Sequence, residues 1–387
     1  MKKIAIGQAG GPTTVINATL AGFVKNTMKD HLLSFVRNGY EGLVKGNFLK
    51  GTDELLEWVL KNERVPGACL GSGRYPFSPA QMETAVRHLK NEGIDSLVFI
   101  GGNGTMEALS LIGAEAKRQQ YDLQLIGLPK TVDNDLGCTD HAPGFGSSAR
   151  YVAQTTNDIS RDLHSMQNFE QVRILETMGR NAGWLAASSG LLRRFEEEGP
   201  HYIALPEKEL NVEELVSSVD EAVSRYGCAT IVVSEGVKWT GGEQIELETV
   251  TGRTILGGIS KQIESFLKEE LHVTARAEIL GMNQRSFSYA VSTVDQYEAF
   301  LCGKAGGHWV RQGHSGVMVS LQRSKDRGYN VDTIPVALED VVSAGERMLP
   351  MHFIQHPEDY YKWLRPLVGD GLSSYPPPIQ RRDLYVN

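Results

Sequence analysis

A chain of 387 residues with ordinary apolar content and 41 glycines can form two lobes, each with its own core, and its formal net charge of −8 argues against a nucleic-acid partner. Four cysteines, Cys69, Cys138, Cys228 and Cys302, show neither C-x-x-C spacing nor a zinc-type pairing with histidine, which points to reduced thiols. No signal peptide is apparent and no apolar run is long enough to span a bilayer, so a cytoplasmic protein without a membrane partner is expected.

The first predicted strand, residues 4–7, runs straight into the pair Gly10 and Gly11, then two threonines and a helical pattern. Residues 96–105 repeat that layout with Gly101, Gly102 and Gly104 ahead of Thr105. Glycines let backbone N–H groups approach an anion, and the helix N-terminus that follows favours negative charge. Each turn alone is equally compatible with a tight bend that binds nothing. Neither matches G-x-G-x-x-G, and G-x-x-x-x-G-K-[ST] is absent from the chain, which disfavours a nicotinamide Rossmann enzyme and a P-loop ATPase.

A third apolar run, residues 123–128, ends at Pro129 and opens onto Lys130-Thr-Val-Asp-Asn-Asp135, which places a hydroxyl, a cation and carboxylates at a strand's carboxyl end. Ligands bind at that edge in open α/β sheets. Asp133 and Asp135 stand two apart, so in an extended backbone both point to one face. One could take a substrate hydroxyl's proton while the other orients a metal-bound water or a neighbour. The competing reading is a turn-rich surface loop whose Asp and Asn satisfy backbone donors.

Further strand-like runs at residues 174–176 and 229–234 alternate with amphipathic segments, which argues for doubly wound α/β layers. Residues 303–319, with His308 and His314, fit a helix and turn in which the histidines are structural. Residues 360–364 read as one helix packing on the body, and residues 373–378 break regular structure.

Taken in order, Gly-Gly-Pro-Thr-Thr-Val-Ile-Asn-Ala (10–18), Gly-Gly-Asn-Gly-Thr (101–105), Pro-Lys-Thr-Val-Asp-Asn-Asp (129–135), Glu-Thr-Met-Gly-Arg-Asn-Ala-Gly-Trp (176–184), Ser-Glu-Gly (234–236) and Gln-Arg (284–285) resemble the motifs of the phosphofructokinases. The likeness runs from the first strand to about residue 320, and it is nearest the longer bacterial branch that includes pyrophosphate-dependent enzymes. It implies an α/β fold of two doubly wound lobes with mainly parallel sheets and an active-site cleft between them. Residues 1–140 with about 284–330 would bind donor phosphate, residues 141–283 would bind sugar phosphate, and residues 331–387 would form a C-terminal extension.

The resemblance further implies transfer of a phosphoryl group to the 1-hydroxyl of fructose 6-phosphate, a glycolytic kinase reaction that uses Mg2+. By likeness Asp133 is the general base, with Thr131, Asp135 and Lys130 beside it, and Arg180 stabilises the transferring group. Gly10, Gly11, Arg74, Gly102, Gly104 and Thr105 match the donor side, and Asn103 stands where many relatives carry a magnesium-contacting Asp. Met178, Gly179 and Glu235 would hold the sugar, while Arg276, Met282, Asn283 and Arg285 line its phosphate. In the family an arginine reaches over from a neighbouring subunit, so a homodimer or homotetramer with a shared active site is implied.

Gly104 leaves open the space that an Asp fills in pyrophosphate users, whereas Lys130 accompanies pyrophosphate use, so the reading favours ATP with pyrophosphate as the alternative donor. Gln171 and Met282 replace an arginine and a histidine that relatives often carry, with Arg173 or Asn283 as candidate compensation. Those departures leave room for another phosphosugar, such as sedoheptulose 7-phosphate, or for a catalytically poor regulatory paralogue. Apolar residues 20–24 stand where short-chain members carry effector arginines, so no regulation of that kind by ADP or phosphoenolpyruvate is expected.

Overall fold

The computed structural model describes residues 1–73, 75–250, 253–324 and 328–378, with the backbone alone for 247–250 and 253–255. The chain divides into two compact units, residues 1–147 with 285–347, and residues 148–284 with those from 348 onward.

The chain opens with β1 (Lys3–Gln8), α1 (Ile16–Thr27), β2 (Leu32–Val36), α2 (Tyr40–Lys45), β3 (Phe48–Lys50), α3 (Asp53–Lys61), α4 (Pro79–Asn91), β4 (Ser96–Gly101), α5 (Asn103–Arg118) and β5 (Gln124–Pro129). The division between the units falls inside α6 (Phe145–Ser165). Beyond it come β6 (Val172–Thr177), α7 (Trp184–Ser188), β7 (Tyr202–Ala204), α8 (Val212–Tyr226), β8 (Ala229–Ser234), β9 (Glu246–Val250), β10 (Arg253–Leu256), α9 (Ile259–Leu271) and β11 (Ala275–Ile279). The first unit is completed by α10 (Thr293–Gln312), β12 (Val317–Arg323), β13 (Val331–Ala337) and α11 (Leu338–Ala344), while α12 (Met351–Gln355) and α13 (Pro357–Val368) belong to the second.

In the first unit seven strands form one sheet in the order β13-β12-β5-β4-β1-β2-β3, parallel from β12 to β2 with an antiparallel strand at each edge. Both faces are covered, which is why its central strands read as unbroken apolar runs. Ala5, Leu97, Phe99 and Leu125 pack into one core cluster, and Ile4, Ile6, Val98, Ile100, Ile126 and Leu128 into another. The second unit's sheet, β11-β6-β8-β7, is wholly parallel, with Val172, Ile174, Ile231 and Val233 in its main cluster. Each buried aliphatic side chain contributes about 1.5–3 kcal/mol, so these clusters dominate the stability of both units.

Local signals set the helix starts. Ser78 and Gln81 form a capping box at α4, with Pro79 in its first turn, and Asn211 and Ser292 cap α8 and α10 by accepting backbone N–H bonds. The seam between α1 and α10 depends on glycine. A Cβ on Gly303 would come within 1.9 Å of Thr19 O, and one on Gly22 within 2.1 Å of Phe300 O. We expect Gly303→Ala to cost about 1–3 kcal/mol, read as a lower urea midpoint at unchanged slope. An unchanged midpoint would mean that the two helices can separate there without loss.

The two units differ in detail from the expected lobes. The division falls at 147/148 and 284/285, since the loop after β5 folds back onto α10 instead of leading into the second sheet. Residues 331–387 do not act as one extension: β13 pairs with β12 in the first unit, whereas residues from Met348 onward belong to the second. The helix expected within residues 303–319 ends at Gln312, and Val317 already belongs to β12. All four cysteines are free thiols. Among the described residues no helix is long and apolar enough to cross a membrane, and no cluster of three or more His, Cys, Asp or Glu could hold a metal.

Candidate active site

In the first unit the glycine turn after β1 and the start of α5 lie at the carboxyl ends of adjacent parallel strands. Gly10 takes φ 76°, a left-handed conformation that favours glycine. The carbonyls of the turn are tied inward: Ser72 Oγ donates to Gly10 O at 2.5 Å, and Lys130 Nζ to Gly11 O at 2.8 Å. Lys130 is only 4% exposed, so its ammonium is fixed against the turn. Arg285 reaches the same place, its Nη1 standing 2.5 Å from where a Cβ on Gly11 would be. Two cations therefore flank the glycine turn. Helix α5 starts at Asn103 with no side-chain cap and no acidic residue in its first turn, and the carboxylate that stands at its positive end is that of Asp135. A Cβ on Gly104 would meet nothing within 4 Å. Arg74 lies outside the described residues.

The loop after β5 is more folded than its sequence suggests. Asn134 sits at φ 54°, so the backbone between Asp133 and Asp135 is not extended and the alternation argument for a shared face fails. Asp135 instead turns back on the loop. Its Oδ1 accepts from Thr131 Oγ1 at 2.8 Å and its Oδ2 from Asn103 Nδ2 at 3.1 Å, while Thr131 Oγ1 also accepts from the Asp133 N–H. Asp133, Asp135, Thr131 and Asn103 thus form one local network beside the cationic turn.

In the second unit β6 ends in the turn carrying Met178, Gly179 and Arg180. Gly179 takes φ 126°, and its carbonyl accepts from Ser234 Oγ. Gln244 Nε2 donates to Arg180 O at 2.8 Å, Gln284 Oε1 accepts from the Met178 N–H at 3.0 Å, and the Glu235 N–H reaches Thr177 O at 2.9 Å. Below the turn, buried Glu176 collects the N–H groups of Gly258 and Ser260 and the Ser260 hydroxyl. The Arg180 backbone is therefore held from several sides.

At the other end of β6 and β11 the charges pair off. Arg173 Nε donates to Glu170 at 2.5 Å and its Nη1 to Glu278 at 3.0 Å, and Arg276 Nε stands 3.8 Å from Glu170. Arg173, 7% exposed, is thus committed to two carboxylates. Gln171 itself is spent on Thr274, with bonds at 3.1 and 3.2 Å. Arg276, Met282 and Asn283 are exposed.

Several contributors had no role in the sequence reading. Glu176, Ser234 and Gln284 lie inside quoted motifs, so their burial was the missing signal, whereas Gln244 and the α10 acids Asp295 and Glu298 gave no local sign.

A family model described as phosphofructokinase matches residues 3–309. A sulfofructose kinase of Alkalicoccus urumqiensis is 47% identical over 97% of this chain and 96% of its own length. A pyrophosphate–fructose 6-phosphate 1-phosphotransferase of Rhodospirillum rubrum is 34% identical over 96% and 95% respectively. Among solved structures, a pyrophosphate-dependent phosphofructokinase of Nitrosospira multiformis superposes with a TM-score of 0.85 at 30% identity, covering 100% of this chain and 96% of that one.

Proposed function

Because the chain belongs to the phosphofructokinase family and is accordingly a phosphotransferase with a sugar hydroxyl as acceptor, we propose that it moves a phosphoryl group from ATP to the 1-hydroxyl of a fructose carrying a sulfonate on its sixth carbon. The missing cations carry this reading: Gln171 and Met282 stand where relatives often carry an arginine and a histidine, and neither adds a charge. A phosphate monoester brings about −1.5 to −2 charges, whereas a sulfonate brings a single one and so demands fewer cations. The sulfofructose kinase relative supports the same acceptor.

Asp133 acts as general base on the hydroxyl, with Thr131 and Asp135 fixing its loop. Arg180 and Lys130 offset charge on the transferring group and the donor, Glu235 and the Met178–Gly179 turn hold the sugar, and Asn283 meets its anionic end. Gly10, Gly11, Gly102 and Thr105 shape the donor side together with Arg285. The open space at Gly104 supports ATP.

Asp135 and Asn103 fit a magnesium ion: each carboxylate oxygen of Asp135 accepts one described bond and keeps capacity for another, and Asn103 keeps its Oδ1. When bound, the ion neutralises donor phosphate charge.

Initial rates test the assignment. With ATP, kcat/KM for 6-deoxy-6-sulfofructose should exceed that for fructose 6-phosphate by about tenfold or more. Gly104→Asp should abolish ATP use while sparing pyrophosphate. Preference for fructose 6-phosphate would overturn the acceptor, and faster wild-type turnover with pyrophosphate would overturn the donor.

A further inference from the structure

The loop that carries Asp133 returns to the body of the first unit through residues 139–147, and there it meets two fully buried acids of α10. Asp295 and Glu298 stand three residues apart, on one helix face. Asp295 accepts the N–H groups of Gly144 at 2.8 Å and Ser147 at 3.0 Å, with the Ser147 hydroxyl beside them. Glu298 meets His141, whose Nε2 lies 2.7 Å from Glu298 Oε2 and whose Nδ1 lies 2.9 Å from Asp140 Oδ2.

A carboxylate accepts hydrogen bonds and donates none, so an imidazole seated between two of them satisfies both only with a proton on each nitrogen. The surrounding groups agree. Arg323 at the end of β12 donates to Asp140 at 2.8 Å, and Arg347 after α11 donates to its carbonyl at 2.6 Å. Tyr329 before β13 donates to Glu298 at 2.6 Å, and Cys302 on α10 is a buried neutral thiol.

The outgoing half of the loop is tied to this returning half. Thr131 N–H donates to Pro143 O at 3.2 Å, Ala142 N–H to Asn134 Oδ1 at 3.1 Å, and Thr131 bridges to Gly144. The residues either side of Asp133 therefore take their positions from residues 142–144, next to the buried charges.

We propose that His141 works as an imidazolium that clamps the Asp133 loop onto α10, and is thereby a positioning residue for phosphoryl transfer. The inference rests on the reading of Asp133 as general base. Burial alone would lower the pKa of His141, but its bonds to Asp140 and Glu298 and their charges outweigh that and raise it to about 9. A group raised from 6.5 in this way stabilises the fold fully below 6.5 and ceases to do so as pH rises through about 9.

The test compares wild type, His141→Gln, the double variant His141→Gln with Glu298→Gln, and Asp133→Ala in ATP turnover and donor binding. The double variant removes the buried carboxylate that the single one leaves without its cation. Folded double variant should lose at least about tenfold in kcat with donor affinity held within about threefold, and its rate profile should lack the alkaline limb near pH 9 expected of wild type. Unchanged kcat in a folded variant, or a limb that persists in it, overturns the clamp. Turnover retained in Asp133→Ala overturns instead the reading on which the clamp rests.

Discussion

Asp133→Ala is expected to lower kcat by about 10²- to 10⁴-fold while acceptor and donor affinities change little, because the carboxylate acts on the proton that leaves the sugar hydroxyl and contributes little to holding it. The substitution should not unfold the loop. Bonds through the Asp133 N–H, Thr131, Asn134 and Asp135 shape residues 131–144, and all of them are available to alanine at 133. Melting temperature near that of wild type, together with a collapsed rate, is the expected pair of results. A rate within about threefold of wild type would remove Asp133 from the chemistry.

Gly236→Ala should be nearly as damaging by a different route. A Cβ at residue 236 would lie 1.5 Å from Arg180 O and 2.4 Å from its carbonyl carbon. Backbone atoms cannot swing aside as a side-chain tip can. Arg180 is also held by Gln244, and its neighbour Gly179 by Ser234, so relief requires moving the whole turn. A displacement on the order of 1 Å at a group that steadies the transition state costs about 10²-fold in rate, and the overpacking adds about 1–3 kcal/mol of instability. Rates measured well below the variant's melting temperature separate the two effects. Full activity there would mean that Arg180 can be relocated without consequence.

The central strands were legible because a parallel sheet covered on both faces demands unbroken apolar runs, as residues 97–100 and 231–233 show. The glycine turn, the Asp loop and the Arg180 turn were legible because each concentrates its chemistry within a few adjacent residues. Long-range pairing was not. His141 has Asp140 beside it and Arg173 has Glu170 three residues before it, but the second acid of each lies 157 and 105 positions further on and does not declare itself locally. The Asp133–Asp135 face failed for a smaller reason: one left-handed residue, Asn134, cancels the two-residue period.

The pairing at the edge of β6 and β11 has a kinetic meaning as well. With Arg173 and Arg276 already accompanied by Glu170 and Glu278, little net field extends from that corner into solvent. Long-range attraction draws charged ligands inward in proportion to such a field, and dissolved salt weakens it within about 10 Å. That corner therefore does almost nothing to steer charged ligands, and whatever part it has in their capture stays nearly indifferent to ionic strength.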